Sequence, residues 1–338
     1  MPISIDDVAA RAKVSTATVS RAMRGLPRVS PETRSRVLAI AEEMGYVPSP
    51  SARGLATGRT KTMGVLAPFA DRWYFGHAIE GVEQALREDE FNLLLFSLGG
   101  YGKGRQRTFR ESMVRKQIDA LVVLCLSLDT DELDELHRTD IPLIAVGGPV
   151  QGCSSVCIDD SAAATAATNH LIGLGHRRIG HVYGGIQDKA HFVVPALRSD
   201  AFTTTMRQAG LPVRPDWSAP GDFTVKGGAE AAGAIFDAPG ERPTAIFCAS
   251  DEMALGLMYE ARRRGIRIPE ELSVIGIDDH DFSAVAGLTT VAQDPTQHGY
   301  LATRLLLAQL NGTPANVENF VMPFHVILRA STAPPAVP

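Results

Sequence analysis

The chain has 338 residues, 45% hydrophobic and 21% charged, with a mean hydropathy of +0.01; this is the composition of a folded protein with two or three packed units. No stretch approaches the roughly 20 continuous apolar residues that span a bilayer, no secretory signal opens the chain, and four cysteines are too few for a disulfide framework, so a cytoplasmic protein with reduced thiols is expected. The net charge of −5 hides a division: residues 1–61 hold ten Lys and Arg against five acids, or +5, which leaves −10 for the rest, as in a basic module fused to an acidic body.

The first sixty residues read as three short helices. Ser4 followed by Asp7 is a capping-box pattern, and Ile5, Val8, Ala9 and Ala12 fall on one helical face. A second helix follows the cap Ser15 and stops at Gly25. A third starts at Ser30-Pro31, buries Val37, Ile40, Ala41 and Met44, and stops at Gly45. Three helices with a tight turn after the first suggest a helix-turn-helix unit. On the second helix Val19, Ala22 and Met23 point inward, while Ala17, Ser20, Arg21 and Arg24 form the outer stripe. Arginine can bond guanine O6 and N7, an alanine methyl can meet the thymine methyl, and hydroxyls can bond phosphates.

From Thr62 onward strands and helices alternate. Strands are expected at Met63–Pro68, Asn92–Leu98, Ala120–Leu126 and Leu143–Val146, then at Ile179–Val182, Ala245–Cys248 and Val274–Ile277. Helices are expected at Phe75–Glu88, Gln106–Lys116, Ala162–Leu174, Leu197–Ala209, Lys226–Phe236 and Glu252–Arg264. Two successive parallel α/β units are implied.

The run from Ile5 to Arg21, with Val29–Arg34 and Gly45-Tyr46-Val47-Pro48, resembles the DNA-binding head of the lactose-repressor family of bacterial transcription regulators. The resemblance implies that Thr16, Ala17 and Arg21 read the major groove and that Thr18, Ser20, Arg24, Ser30 and Thr33 touch the phosphate backbone. Ser51–Ala56 resembles the family's hinge helix, with Leu55 as the minor-groove wedge and Ala52 beside it. Gly54 costs about 1 kcal/mol relative to alanine in a helix interior, so this hinge is expected to need DNA and dimerisation to fold. Segments such as His170–Ile179, Pro243–Asp251 and Leu288–Gln293 resemble the family's periplasmic-binding-protein-like core, so the fold class is α/β, a helix-turn-helix head plus a two-lobed core with parallel sheets. The expected division is a head at 1–48, a hinge and linker at 49–61, and a core at 62–338. Its N-lobe takes about 62–160 and 292–320, and its C-lobe about 161–291 and 321–330.

By matched position the resemblance implies ligand contacts from Arg198, from the carboxylate of Asp278, from Phe223 and from Ser250. It also places Trp73-Tyr74-Phe75 at the end of the first strand, where they face either ligand or core. Arg198 and Asp278, as buried charges, need partners and could pair with each other. His191–Pro195 is apolar where relatives have polar contacts. No enzyme site or cofactor is expected: Gly100–Gly104 does not have GxGxxG spacing, no GxxxxGK[ST] or GxSxG occurs, and Asp278–Asp281, on one strand end, point in different directions. The expected protein is a homodimeric repressor of double-stranded operator DNA without a membrane partner, its effector either a carbohydrate, which Trp73 and Asp278 favour, or a purine-like corepressor. The proline-rich end at Ser331–Pro338 leaves no tetramerising heptad helix.

Overall fold

The computed structural model describes residues 3–46, 59–98, 117–126, 128–138, 141–185, 193–314 and 316–336. The chain divides into two compact units, Met1–Thr60 and Lys61–Pro338. The expected hinge helix with Ala52, Gly54 and Leu55, the expected helix at 106–116, the glycine-rich segment at 100–104, and His191 and Phe192 lie outside the described residues.

In the first unit α1 (Ile5–Ala12), α2 (Thr16–Met23) and α3 (Pro31–Glu43) each start on a serine. Ser4 accepts from the Asp7 N–H while the Asp7 side chain accepts from the Ser4 backbone, which completes the capping box and holds the Asp7 carboxyl below its ordinary range. Ser15 and Ser30 accept from the N–H groups of Thr18 and Thr33. Val8, Val19 and Val37 are fully buried where the three helices meet. The turn between α1 and α2 is tight: Lys13 takes the left-handed conformation that ends α1, and Ser15 already caps α2.

Among the described residues the second unit holds two six-stranded sheets. The first contains β1 (Thr62–Ala67), β2 (Asn92–Ser97), β3 (Ala120–Leu124), β4 (Leu143–Val146), β5 (Ser154–Cys157) and β11 (Asn319–Val321). Its order is β11-β5-β4-β3-β1-β2, parallel throughout. The second contains β6 (Ile179–Tyr183), β7 (Ser218–Pro220), β8 (Ala245–Cys248), β9 (Ser273–Asp278), β10 (Thr289–Ala292) and β12 (His325–Ile327) in the order β12-β10-β9-β8-β6-β7. Only β12 runs antiparallel to its neighbour. The inner strands β3, β8 and β9 are buried along their whole length, as strands covered on both faces must be. Cys125, at φ 47, turns the chain out of the sheet directly after β3, two residues before the expected end.

Helices cover the sheets. On the first, α4 (Trp73–Glu88) pairs with α11 (Pro295–Leu310), and α5 (Thr130–His137) covers the opposite face through Leu133 and Leu136. On the second, α6 (Asp160–Gly173) pairs with α7 (Val194–Gln208), and α8 (Val225–Asp237) with α9 (Asp251–Arg263). A short α10 (Asp281–Ala286) follows β9. The chain therefore passes between lobes three times, after β5, after β10 and between β11 and β12.

α4 and α11 approach closely enough that their crossing is built on glycine. A Cβ on Gly81 would lie 1.9 Å from the Thr296 carbonyl oxygen, and one on Gly299 would lie 2.0 Å from that of Ala78. Neither neighbour is a side chain that can swing aside. Gly299→Ala should therefore destabilise the protein by about 1–3 kcal/mol, measured as a lowered urea midpoint of the full chain; an unchanged midpoint would mean that the two helices separate at no cost.

Candidate functional site

The first unit presents the residues singled out on α2. Ala17 and Arg21 are exposed, and Thr16, Thr18, Ser20 and Arg24 are partly exposed. Their local bonds differ. The Thr18 and Ser15 hydroxyls are 2.9 Å apart, and Arg24 Nε donates back to the Ser20 carbonyl oxygen at 3.0 Å. Ser30 is exposed at the start of α3, where its hydroxyl lies 2.8 Å from that of Thr33. Two hydroxyls thus flank a helix N-terminus whose N–H groups carry partial positive charge.

The second unit contains a cavity of about 530 Å³ between the two lobes. It opens where the carboxyl ends of both sheets face each other, the usual position for ligands in open α/β sheets. Arg198, Phe223, Ser250 and Asp278, expected as ligand contacts, line it, and so do Trp73, Tyr74 and Phe75, for which ligand and core were both open. Val194 and Pro195 also line it, so that part of the apolar 191–195 segment faces the cavity.

The aromatic trio does not sit on the strand end itself. Trp73, Tyr74 and Phe75 form the first turn of α4, which five intervening residues separate from β1. Phe75 belongs to the core cluster of the first lobe and Tyr74 packs against it, so both have a core side as well as a cavity side. The Tyr74 hydroxyl is 3.4 Å from His298 Nδ1 on α11, and burial pushes its pKa well above the usual range. The Trp73 indole N–H is buried and has no hydrogen-bond partner among the described residues. Phe223, at φ 53 after Asp222 at φ 52, is held by two consecutive left-handed residues. Its ring lies against Gly184, where a Cβ would come within 2.0 Å of it.

Arg198 does not pair with Asp278. Its guanidinium bonds Asp160 through Nε at 2.8 Å and Nη2 at 2.7 Å, and donates from Nη1 to the Ala249 carbonyl oxygen at 2.5 Å. Both partners of the ion pair are only 5% exposed. Asp160 was missed in the sequence because its neighbour Asp159 has the local signal, capping α6 through the Ala162 N–H.

Asp278 corrects a second expectation. Burial pushes its carboxyl up to about 8, against the pull of Arg198 and of the Gln293 amide, which donates to Asp278 Oδ1 at 2.7 Å. At neutral pH it is largely a carboxylic acid that can donate as well as accept. Gln293 was also unforeseen; it lines the cavity on the segment that leaves β10 for the first lobe. Ser250 is the N-cap of α9 and accepts from the Met253 N–H at 3.4 Å. The rest of the acidic run disperses: Asp279 pairs with Arg329, His280 caps α10, and Asp281 faces His77.

Residues 4–49 match the bacterial regulatory protein family named for lacI, and residues 168–332 match the periplasmic binding protein-like domain. The HTH-type transcriptional repressor CytR of Escherichia coli K12 is 35% identical over 97% of this chain and 96% of its own length. The chain belongs to the lacI family. Catabolite control protein A of Priestia megaterium is 32% identical over 98% of this chain and all of its own. Among solved structures, a complex of the transcriptional regulator CelR with cellobiose superposes with a TM-score of 0.72 at 29% identity, covering 97% of this chain and 99% of that one. The lac repressor dimer bound to operator and the anti-inducer ONPF shares the fold, with a TM-score of 0.85 at 23% identity over 98% of this chain and all of that one. As a lacI-family member the chain is a DNA-binding transcriptional repressor modulated by an effector. Among the described residues no helix is long and apolar enough to cross a membrane.

The raised Asp278 carboxyl has a consequence for stability. Between its ordinary value of 3.8 and about 8 the folded chain holds a proton that the unfolded chain releases. Its contribution is therefore fully present below pH 3.8 and is lost as the pH rises through 8. The urea midpoint should fall between pH 5 and 8, and Asp278→Asn should remove part of that fall; the same slope in both proteins would show that Asp278 is ionised throughout.

Proposed function

We propose that this repressor acts as a homodimer on a palindromic operator, and that the effector bound between its lobes is a carbohydrate. Thr16, Ala17 and Arg21 read base edges in the major groove, while Thr18, Ser20, Arg24, Ser30 and Thr33 contact phosphates. Ala52 and Leu55 of the hinge enter the minor groove. The protein would work in the cytoplasm, where its operators are, and it catalyses no reaction. The division into a head at 1–48, a hinge at 49–61 and a core from 62 follows this separation of tasks.

The carbohydrate reading rests on the chemistry of the cavity wall. Trp73, Phe75, Tyr183 and Phe223 line the cavity, and aromatic rings suit the apolar face of a sugar ring. The groups at its inner end are neutral or paired. Arg198 is neutralised by Asp160, burial favours the protonated Asp278, and burial pushes the Tyr74 phenol and Cys125 thiol upward. Such an end exchanges hydrogen bonds with hydroxyl groups and offers no free charge for an anion. The volume lies within the range of about 300–1,000 Å³ that holds small ligands. A second copy would cover the large apolar side chains exposed on α9 and α10, Tyr259 at 63%, Phe282 at 64% and Val285 at 86%.

Two experiments test the two halves. In a thermal-shift screen of the full chain against saccharides and nucleobases, a true effector at 100 times its dissociation constant should stabilise by about 2.7 kcal/mol. Stabilisation by a nucleobase and by no saccharide would replace the carbohydrate with a purine-like corepressor. Selection from random duplexes should enrich a palindrome, and Arg21→Ala should cost about 1–3 kcal/mol and relax one position in each half-site. Equal weakening on every sequence would reduce Arg21 to a phosphate contact.

A further inference from the structure

The contacts across the cleft mouth converge on the first turns of α4. Its N-cap residue Arg72 has extended backbone, φ −100 and ψ 147, but its side chain does not cap the helix. The guanidinium lies over the Phe69 ring at 3.9 Å, and Nη1 crosses the cleft to donate to the Asp222 carbonyl oxygen at 3.0 Å. Asp222 is one of the left-handed residues of the loop after β7. Glu252, in the first turn of α9 on the other lobe, lies against the same helix start. Burial raises its carboxyl, while the Arg72 guanidinium and the Trp73 backbone N–H draw it back toward the charged form. One turn further, His77 Nε2 is 3.5 Å from Asp281 Oδ1. The Trp73 ring has the His77 ring at 4.5 Å and the His280 ring, from the other lobe, at 5.3 Å.

A helix start exposes N–H groups and the positive end of the helix dipole, and it is stabilised by an anion or a capping oxygen. In α1, α2 and α3 a serine of the same unit serves as cap. α4 has no side-chain cap of its own. Asp71 of its own lobe precedes the cap residue, and the opposite lobe brings Glu252 to the first residue and Asp281 to the side chain one turn on.

We propose that the start of α4 is a latch between the lobes: Glu252 completes the helix in trans, so that closing the cleft and completing α4 are one event. Moving the lobes apart withdraws Glu252 and Asp281, breaks the Arg72–Asp222 bond and leaves the first turn of α4 to fray. The lobe pose is thereby coupled to the order of the aromatic residues that line the cavity. This role in regulation rests on the cavity being the effector site, whereas the latch itself can be tested with no effector present.

The experiment uses the full chain, Glu252→Ala, Glu252→Gln and the double variant Arg72→Ser with Glu252→Ala. Hydrogen exchange of the amides at 73–76 reports the helix start. Acrylamide quenching of Trp73, taken as the difference between each protein and its Trp73→Phe counterpart, reports closure of the mouth, since Trp217 is the second tryptophan. Loss of Glu252 should speed exchange in the first turn about tenfold and make Trp73 more quenchable, while β8 and β9 keep their protection. Glu252→Gln, which keeps the shape and removes the charge, should change both in the same direction. A serine at 72 supplies a local cap, so the double variant should regain slow exchange while Trp73 stays quenchable. If neither readout moves on loss of Glu252, there is no latch. If the serine restores shielding together with protection, Trp73 exposure only follows fraying of the helix and the latch is also refuted.

Discussion

The buried guanidinium of Arg198 organises the cavity-facing side of the second lobe. It reaches from α7 to Asp160 at the start of α6 and to the Ala249 carbonyl at the end of β8, thereby tying three elements to one point on the cavity wall. A charge placed there must be compensated: removing one partner of a buried pair costs about 3–5 kcal/mol, although the pair as a whole adds little stability over an apolar replacement. Its value lies in what it fixes. With Asp160 consuming its charge, Arg198 leaves Asp278 without a dedicated cation, and burial then favours the protonated acid. Burial outweighs the remaining pull of Arg198 and so sets the state of the Asp278 carboxyl.

Much of this was legible in the sequence where the signal is local. The strands Leu143–Val146 and Ala245–Cys248 have the bounds that their apolar runs suggest, and the serine caps stand at the helix starts. Signals that depend on tertiary placement were not legible. Asp159 and Asp160 are adjacent and chemically identical, yet one caps α6 at the surface and the other is buried against Arg198. Only the arrival of α7, 38 residues later, distinguishes them. Gln293 reaches Asp278 because β9 and β10 pair with Ala292 opposite Asp278, a register that no local pattern contains. α11 escaped notice because its polar residues fall on buried positions: His298 and Thr303 are inside, next to Gly299, which blurs the two-sided pattern that marks a surface helix.

The division of charge seen in the sequence also acquires a structural meaning. The basic excess belongs to a unit with a small core of its own, built around three valines. The acidic excess belongs to the two-lobed unit, where several carboxylates have definite tasks. Asp160 neutralises Arg198. Asp251 accepts from the His280 N–H and from the Ser283 and Thr290 hydroxyls, which anchors α10 to the sheet. Glu260 is held down to about 2 by Arg263 and Arg264. An acidic body is repelled by DNA phosphates, so non-specific attraction is confined to the head.

The position of Gln293 joins ligand chemistry to lobe movement. It leaves β10 on one of the three segments that pass between lobes, directly before the Asp294 cap of α11, and its amide holds Asp278. A ligand can shift the balance of lobe poses only through contacts that differ between them. Arg198, Asp278, Ser250 and Phe223 lie on one lobe, whereas Trp73, Tyr74 and Phe75 lie on the other. A ligand that touched only the first group would bind both poses alike and transmit nothing. Bridging to Tyr74 makes affinity depend on closure, and Tyr74 is backed by His298 on α11, the helix that packs against α4. A polyhydroxylated ring meets that requirement economically, because its hydroxyls and its apolar face can engage the two lobes at once.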